Sequence, residues 1–180
     1  MIISAFLLSG ATSITSASRQ NLSPTLPTSR SLTPLIDIRR LTHGDNDLAR
    51  RSFAMMNEAF EVEGETLSDA YLDELLARDS FWAMVAVDNR EVIGGLTAHT
   101  LPMTRAEAAE LFVFDVAVRV DRQREGIGRQ LLHELRARAT RAGIGDVFVA
   151  ADNEDVHALD FYHATGGEAM PVTMFTFPAP

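Results

Sequence analysis

The chain predicts a mixed α/β domain with a ligand site at its centre, and three observations carry this. From residue 35 onward, strand-like alternation and helical spacing of apolar residues follow one another in the order β-α-α-β-β-β-α-β-α-β. The middle of that order joins a strand, a glycine-punctuated turn and a helix. The length of 180 residues and the 46% hydrophobic content suffice for one domain with a sizeable core, and no internal repeat is visible.

Residues 34–41 alternate like a first strand. Asp45 or Asp47 can cap a helix running to about Phe60, with Leu48, Met55, Met56 and Phe60 at helical spacing. Residues 61–65 are an acidic loop. Ser68 can cap a second helix over 69–77, with Tyr71, Leu72, Leu75 and Leu76 on one side. Strands are predicted over 81–88 and 91–101, joined by a turn at Asp88-Asn89-Arg90. A connection containing Pro102 leads to a strand over 110–119 and then to the glycine turn. A helix over 127–142 ends at Gly143-Ile144-Gly145. A short strand over 146–151, a helix over 157–165 ended by Gly166-Gly167, and a closing strand over 170–177 complete the domain.

Residues 1–34 read as a separate segment, rich in Ser, Thr and Pro and without an acid. Residues 1–8 followed by Ala17-Ser18 faintly suggest a secretion signal, but the apolar stretch is short and no basic residue precedes it. The composition favours a disordered tail or an over-extended reading frame, which leaves 35–180 as the folded domain. No run is long enough to span a membrane.

The chain has no cysteine, which excludes disulfides, thiolate catalysis and cysteine-ligated zinc. The formal net charge of −9 argues against a nucleic-acid partner and for a cationic one. All sixteen basic residues are Arg, and seven of them fall in 119–141 against three acids. That segment is net positive while the rest of the domain is strongly acidic. Such a distribution fits a protein that binds one anionic and one cationic ligand.

The turn Arg122-Gln123-Arg124-Glu125-Gly126-Ile127-Gly128 follows the strand Leu111-Phe112-Val113-Phe114-Asp115-Val116-Ala117-Val118 and opens a helix. The first amides of a helix lack intrahelical partners and the helix dipole favours negative charge there, so the arrangement is an anion site. A nucleotide-hydrolysing loop would need a Lys, which the chain lacks. A dinucleotide fingerprint would need a third glycine where Leu131 stands. What fits is Gln/Arg-x-x-Gly-x-Gly/Ala, with Gln123, Gly126 and Gly128 at the fixed positions. It is followed by Asp155-x-x-Ala158-x-x-Phe161-Tyr162-x-x-x-Gly166.

With these two elements the chain resembles the GNAT N-acetyltransferases. The resemblance implies a mixed, mostly antiparallel sheet flanked by helices and splayed at an acetyl-coenzyme A site. Residues 80–87, 92–96, Leu101-Pro102, 111–118, Val149-Ala150-Ala151-Asp152 and Tyr71-Leu72-x-x-Leu75-Leu76 look like the aminoglycoside 3-N-acetyltransferases of type I. The similarity covers roughly 50–177. Glu154, His157 and Gly166-Gly167 depart from that pattern, at positions that bear on the substrate range.

The resemblance implies acetyl transfer from acetyl-coenzyme A to an amine in a ternary complex, without an acyl-enzyme. It implies a cofactor site built from Val116, Ala117, Val118, Gln123, Arg124, Glu125, Gly126, Ile127, Gly128, Arg129, Asp155, Ala158, Phe161 and Tyr162. Arg122, Arg124 and Arg129 are nearby charge partners, or else salt-bridged surface residues. Tyr162 is the candidate general acid for the leaving thiolate, since thiol and phenol pKa values lie within about two units. Asp115 interrupts an apolar strand, where a carboxylate is costly unless paired. A substrate ammonium is a natural partner, making Asp115 an anchor or a general base; an ion pair with an Arg is the alternative. Glu110, Glu61, Glu63, Asp152, Glu154 and Asp155 are candidates to line an acidic acceptor pocket, with His99 and His157 as auxiliary bases or donors. No metal-ligand spacing occurs.

The expectation is therefore a cytoplasmic enzyme, able to pair as a homodimer. It would acetylate the 3-amino group of gentamicin-like aminoglycosides and so confer resistance. A GNAT enzyme of polyamines or other small amines, and a non-catalytic acetyl-coenzyme A-binding module, are the other readings.

Overall fold

The computed structural model describes residues 2–4 and 36–179. A six-stranded sheet runs in the order β1-β5-β4-β3-β2, with β6 also paired to β5. Its strands are β1 (Ile2–Ser4), β2 (Asp37–Arg40), β3 (Phe81–Asp88), β4 (Glu91–Pro102), β5 (Ala109–Val118) and β6 (Val147–Val149). The helices are α1 (Asn46–Ala59), α2 (Asp69–Leu76), α3 (Ile127–Arg141) and α4 (Val156–Ala164). Among the described residues only the β5–β6 pairing is parallel. The expected tail lies outside the described residues except for Ile2–Ser4, which pairs with β5.

The central strands are apolar on both faces because both faces are covered. On β3, Trp82, Met84 and Ala86 pack toward α3 and its Leu131 and Leu135. The alternate residues Phe81, Ala83 and Val85 pack toward α1 and α2, against Met55, Met56 and Leu72. Alternation that serves two cores reads as a continuous hydrophobic run, which is why 81–88 carries no polar face. The hairpin between β3 and β4 closes through Asn89 and Arg90, both with positive φ (48° and 70°). That is the two-residue turn whose twist matches the strands, built here without glycine.

Caps set the helix starts. The Ser68 hydroxyl accepts from the Tyr71 amide at 3.2 Å, and the Asp155 carboxylate accepts from the Ala158 amide at 2.9 Å. Asp45 precedes α1, but its carboxylate accepts from the Thr42 amide instead.

Two expectations fail at the chain ends. A strand forms at residues 2–4, where none was predicted. The closing strand over 170–177 does not form: these residues join no ladder among the described residues.

On β5 the register slips by one residue, with Thr97 opposite Asp115 and Ala98 opposite Val113. Phe114 is the extra residue of a β-bulge. The bulge lets Val113 and Val116 face the same core and turns Asp115 to lie beside Thr97.

Leu131 is fully buried between α3 and the sheet. Leu131→Ala is expected to destabilise the domain by about 2–5 kcal/mol. Urea unfolding would read this as a lower midpoint with an unchanged slope.

Candidate functional site

β5 is paired to β4 along its whole length but to β6 only through Leu111, Phe112 and Val113. Beyond Val113 its outer edge parts from β6. Along that edge Ile2–Ser4 pairs with Asp115, Val116 and Ala117. The edge therefore accepts an extended chain carrying amide groups.

At the end of β5 a 3-10 turn (Val120–Arg122) leads into the glycine turn. Gln123 donates from its side-chain amide to the Val118 carbonyl at 3.2 Å, so this side chain is committed to holding the turn against β5. Arg122 is likewise committed, pairing with Asp88 at 3.0 Å and Glu125 at 2.9 Å. Arg119 bridges Asp121 at 2.6 Å and Glu91 at 3.6 Å. Two arginines thus fasten the turn to the β3–β4 hairpin. Arg124 and Arg129 remain exposed.

Arg124 and Gly126 have φ of 67° and 81°. Gly126 is the N-cap of α3, and only glycine holds that conformation without strain. The amides of Ile127, Gly128 and Arg129 follow it, with no carbonyl one turn back inside the helix to bond. Gly128 has a different reason to be small. A Cβ there would lie 3.2 Å from the Phe161 ring, so this glycine lets α4 pack closely on α3. Ala158, buried at 2%, belongs to the same contact.

Tyr162 lies on α4 with its ring 5.2 Å from that of Phe161. Its hydroxyl is buried and has no hydrogen-bond partner among the described residues. An unpaired buried hydroxyl costs about 1–3 kcal/mol, so this atom calls for a partner that the described residues do not supply. Burial, and then the negative charges of Asp155 and Asp115, push the phenol well above its ordinary pKa. The gap between phenol and thiol is therefore wider than the sequence suggests.

Asp115 makes no ion pair with an Arg among the described residues. It accepts a hydrogen bond from the Thr97 hydroxyl at 3.0 Å. Burial pushes its carboxyl above the ordinary aspartate range, while the Thr97 hydrogen bond and the nearby His99 pull it back. The His99 ring packs between those of Phe81 and Phe114, at 5.3 and 6.0 Å. Thr97 escaped the sequence reading because only the bulged register puts it beside Asp115.

The other acids divide. Glu110 lies 3.5 Å from Arg105, and Asp155 is the cap of α4. Asp152 accepts from the Glu154 amide at 2.9 Å, and both are exposed. Glu61 and Glu63 are exposed after α1, which packs on the opposite sheet face from α4, and His157 is also exposed. Among the described residues no group of three or more His, Asp or Glu is placed to hold a metal, and no helix is long and apolar enough to cross a membrane.

Residues 47–166 match the acetyltransferase (GNAT) family. The chain belongs to this family. It is similar to the crystal structure of an aminoglycoside acetyltransferase, meta-AAC0020, from an uncultured soil metagenomic sample in complex with sisomicin. The identity is 28% and the TM-score 0.78, over 83% of this chain and 100% of that one. A second aminoglycoside acetyltransferase, HMB0005, also from an uncultured soil metagenomic sample, is 30% identical with a TM-score of 0.77, over 81% of this chain and 99% of that one. AAC(6')-Iy, solved with the bisubstrate analogue CoA-S-monomethyl-acetylneamine, shares the fold at 17% identity and a TM-score of 0.66, over 81% of this chain and 99% of that one. No curated protein matches the chain.

A carboxyl whose pKa is raised in the folded state is penalised when ionised, and the penalty disappears as pH falls below its folded pKa. If ionised Asp115 is the working form, activity is lost on the acidic side. Thr97→Val removes a downward pull on that pKa. The acidic limb of kcat/KM is expected to move to higher pH while the high-pH plateau is kept; a pH–rate profile beside wild type checks this.

Proposed function

We propose that this GNAT acetyltransferase transfers acetyl groups from acetyl-coenzyme A to the 3-amino group of aminoglycosides, in a ternary complex, and so confers resistance. The observation that carries the proposal is the buried Tyr162 hydroxyl, without a hydrogen-bond partner among the described residues and within electrostatic reach of Asp115 beside the parted edge of β5. The aminoglycoside acetyltransferases at 28% and 30% identity support the acceptor class.

GNAT enzymes take their acetyl group from acetyl-coenzyme A, which when bound supplies a thioester. The residues present fit it. The β5 edge at Val116–Val118 takes the amide-bearing pantetheine arm, overlapping the stretch Asp115–Ala117 that pairs with Ile2–Ser4 here. One edge cannot serve both, so β1 must leave when the cofactor binds. The amides from Arg124 to Arg129 take the pyrophosphate. Arg129 also lines an open groove of about 220 Å³ with His133 and Arg136, between α3 and the end of α4, adding positive charge beside the turn.

Asp115 anchors the acceptor ammonium and takes its proton, directly or through water. Burial makes it a stronger base than an exposed aspartate. The backbone amide of Val116 or Val118 polarises the acetyl carbonyl. Tyr162 keeps its proton in the resting protein and acts as a hydrogen-bond donor to the sulfur. Proton transfer follows as negative charge builds on the leaving thiolate. Asp152, Glu154, Glu61 and Glu63 give the acceptor approach its negative field.

Purified protein with acetyl-coenzyme A and gentamicin or sisomicin is expected to release free thiol, with the product acetylated at the 3-amino nitrogen by NMR. Tyr162→Phe is expected to lower kcat by about 10²-fold with little change in KM. Thiol release with polyamines but not aminoglycosides would overturn the acceptor assignment, and acetylation at another nitrogen the regiochemistry.

A further inference from the structure

The sheet face turned toward α1 and α2 carries a row of rings to which the reaction above gives no role. Between ring centroids, Phe53 of α1 packs on Phe81 at 6.4 Å, Phe81 on His99 at 5.3 Å and His99 on Phe114 at 6.0 Å. Phe114 packs on Phe112 at 6.0 Å, and Phe112 on Phe148 at 5.2 Å. The row crosses from α1 over β3, β4 and β5 to β6. At its inner end Phe81 is buried in the core beneath the helices. Toward its outer end Phe114 and Phe148 are 43% and 39% exposed, and Leu101, two residues beyond His99 on β4, is 42% exposed. Contiguous exposed apolar surface of this kind marks an interaction site.

The bulge explains why Phe114 stands in this row. It is the extra residue of β5, since Thr97 lies opposite Asp115 and Ala98 opposite Val113. Bulges re-aim side chains, often beside active sites. Here the re-aimed ring belongs to the residue next to Asp115. Ala117 lies in the core under α1 and α2, so Asp115, two residues back on the same strand, faces this side of the sheet as well. Glu110, two residues before Phe112, faces it too. The strip of rings therefore has an acid at either end, with five residues of strand between them, roughly 15 Å.

We propose that Phe114, with His99 behind it and Phe112 beside it, is the platform that selects a ring-built acceptor. A saturated, cationic ring lies with its C–H face on the Phe114 ring, while an amine at its rim reaches Asp115. The inference rests on the aminoglycoside reading of the acceptor and adds the feature that separates linked amino-sugar rings from linear amines. Charge complementarity chooses this occupant. An aromatic face is the negative side of the ring quadrupole, so it attracts cations and C–H groups polarised by a neighbouring ammonium. Asp115 and Glu110 take ammonium groups at the rim of the ligand, and the length of the strip suits linked rings. A linear polyamine can meet both acids but has no ring face to lay on Phe114.

Phe114→Leu keeps an apolar side chain at an exposed position and removes the aromatic face; Phe114→Tyr keeps the face. With sisomicin as acceptor, Phe114→Leu is expected to raise KM about 10-fold, with a smaller effect on kcat and an unmoved KM for acetyl-coenzyme A. Phe114→Tyr is expected to stay close to wild type. A second readout needs no turnover. On protein saturated with coenzyme A, the C–H proton resonances of one sisomicin ring are expected to shift upfield under the Phe114 ring current, and to shift less on Phe114→Leu. Spermine, a linear amine, is expected to bind wild type and Phe114→Leu alike. A sisomicin KM unmoved by Phe114→Leu, no upfield shift on wild type, or spermine binding weakened as strongly as sisomicin binding would each overturn the platform alone. A wild type that neither binds nor acetylates sisomicin would overturn the acceptor reading and the platform together.

Discussion

β5 is hydrogen-bonded to β4 through its full length but to β6 over only three residues, and the stretch of edge beyond β6, which Ile2–Ser4 occupies, governs the rest of the candidate site. Backbone groups at Asp115, Val116 and Ala117 need partners, and an extended chain of amides is the shape that supplies them. The bulge at Phe114 sits where β5 and β6 part. It turns Asp115 toward Thr97 and keeps Val116 and Val118 in the core. Gln123 then ties the glycine turn to the last carbonyl of the same strand. An acid, an edge parted from β6 and the proposed anion-binding helix start are therefore placed by a single strand. Small motions elsewhere need not disturb their spacing.

Charge divides the molecule in the same way. The turn and α3 concentrate arginine, yet those nearest the β3–β4 hairpin are held in ion pairs, which leaves Arg124 and Arg129 exposed beside the helix start. Glu61 and Glu63 after α1, and Asp152 and Glu154 before α4, remain exposed. Asp115 and Tyr162, the two groups expected to handle protons, are both pushed by burial toward their protonated forms. For the carboxylate this strengthens a base. For the phenol it secures a donor, at the cost of the close pKa match with a thiol that the isolated residue would have.

Much of this was legible in the sequence. The helices and the four central strands from β2 to β5 fall where apolar period and caps put them, because each serves a core whose pattern is local. Tyr162 and Asp115 stood out as candidates as well, one through the Asp155 to Gly166 motif and the other as a charge in an apolar run. What was not legible depends on pairing. The bulge, and with it Thr97, arises from register between strands, and no local pattern announces it. Gln123 and Arg122 look like ligand contacts in a motif but are held by Val118, Asp88 and Glu125, partners identified only by the folded chain. The strand pattern of 170–177 is present in the residues, but a strand needs a neighbour, and among the described residues it pairs with none.

The central claim is that the parted edge of β5 and the start of α3 form one continuous cofactor cradle. Backbone amide NMR of the labelled protein, titrated with coenzyme A, tests it most directly. The account predicts that the amides of Val116–Val118 and Arg124–Arg129 shift together along one saturation curve, while those of Ile3 and Ser4 move to free-chain positions as β1 leaves the edge. Saturating coenzyme A that shifts neither group of amides, or that shifts the turn while Ile2–Ser4 stay paired to β5, would contradict it.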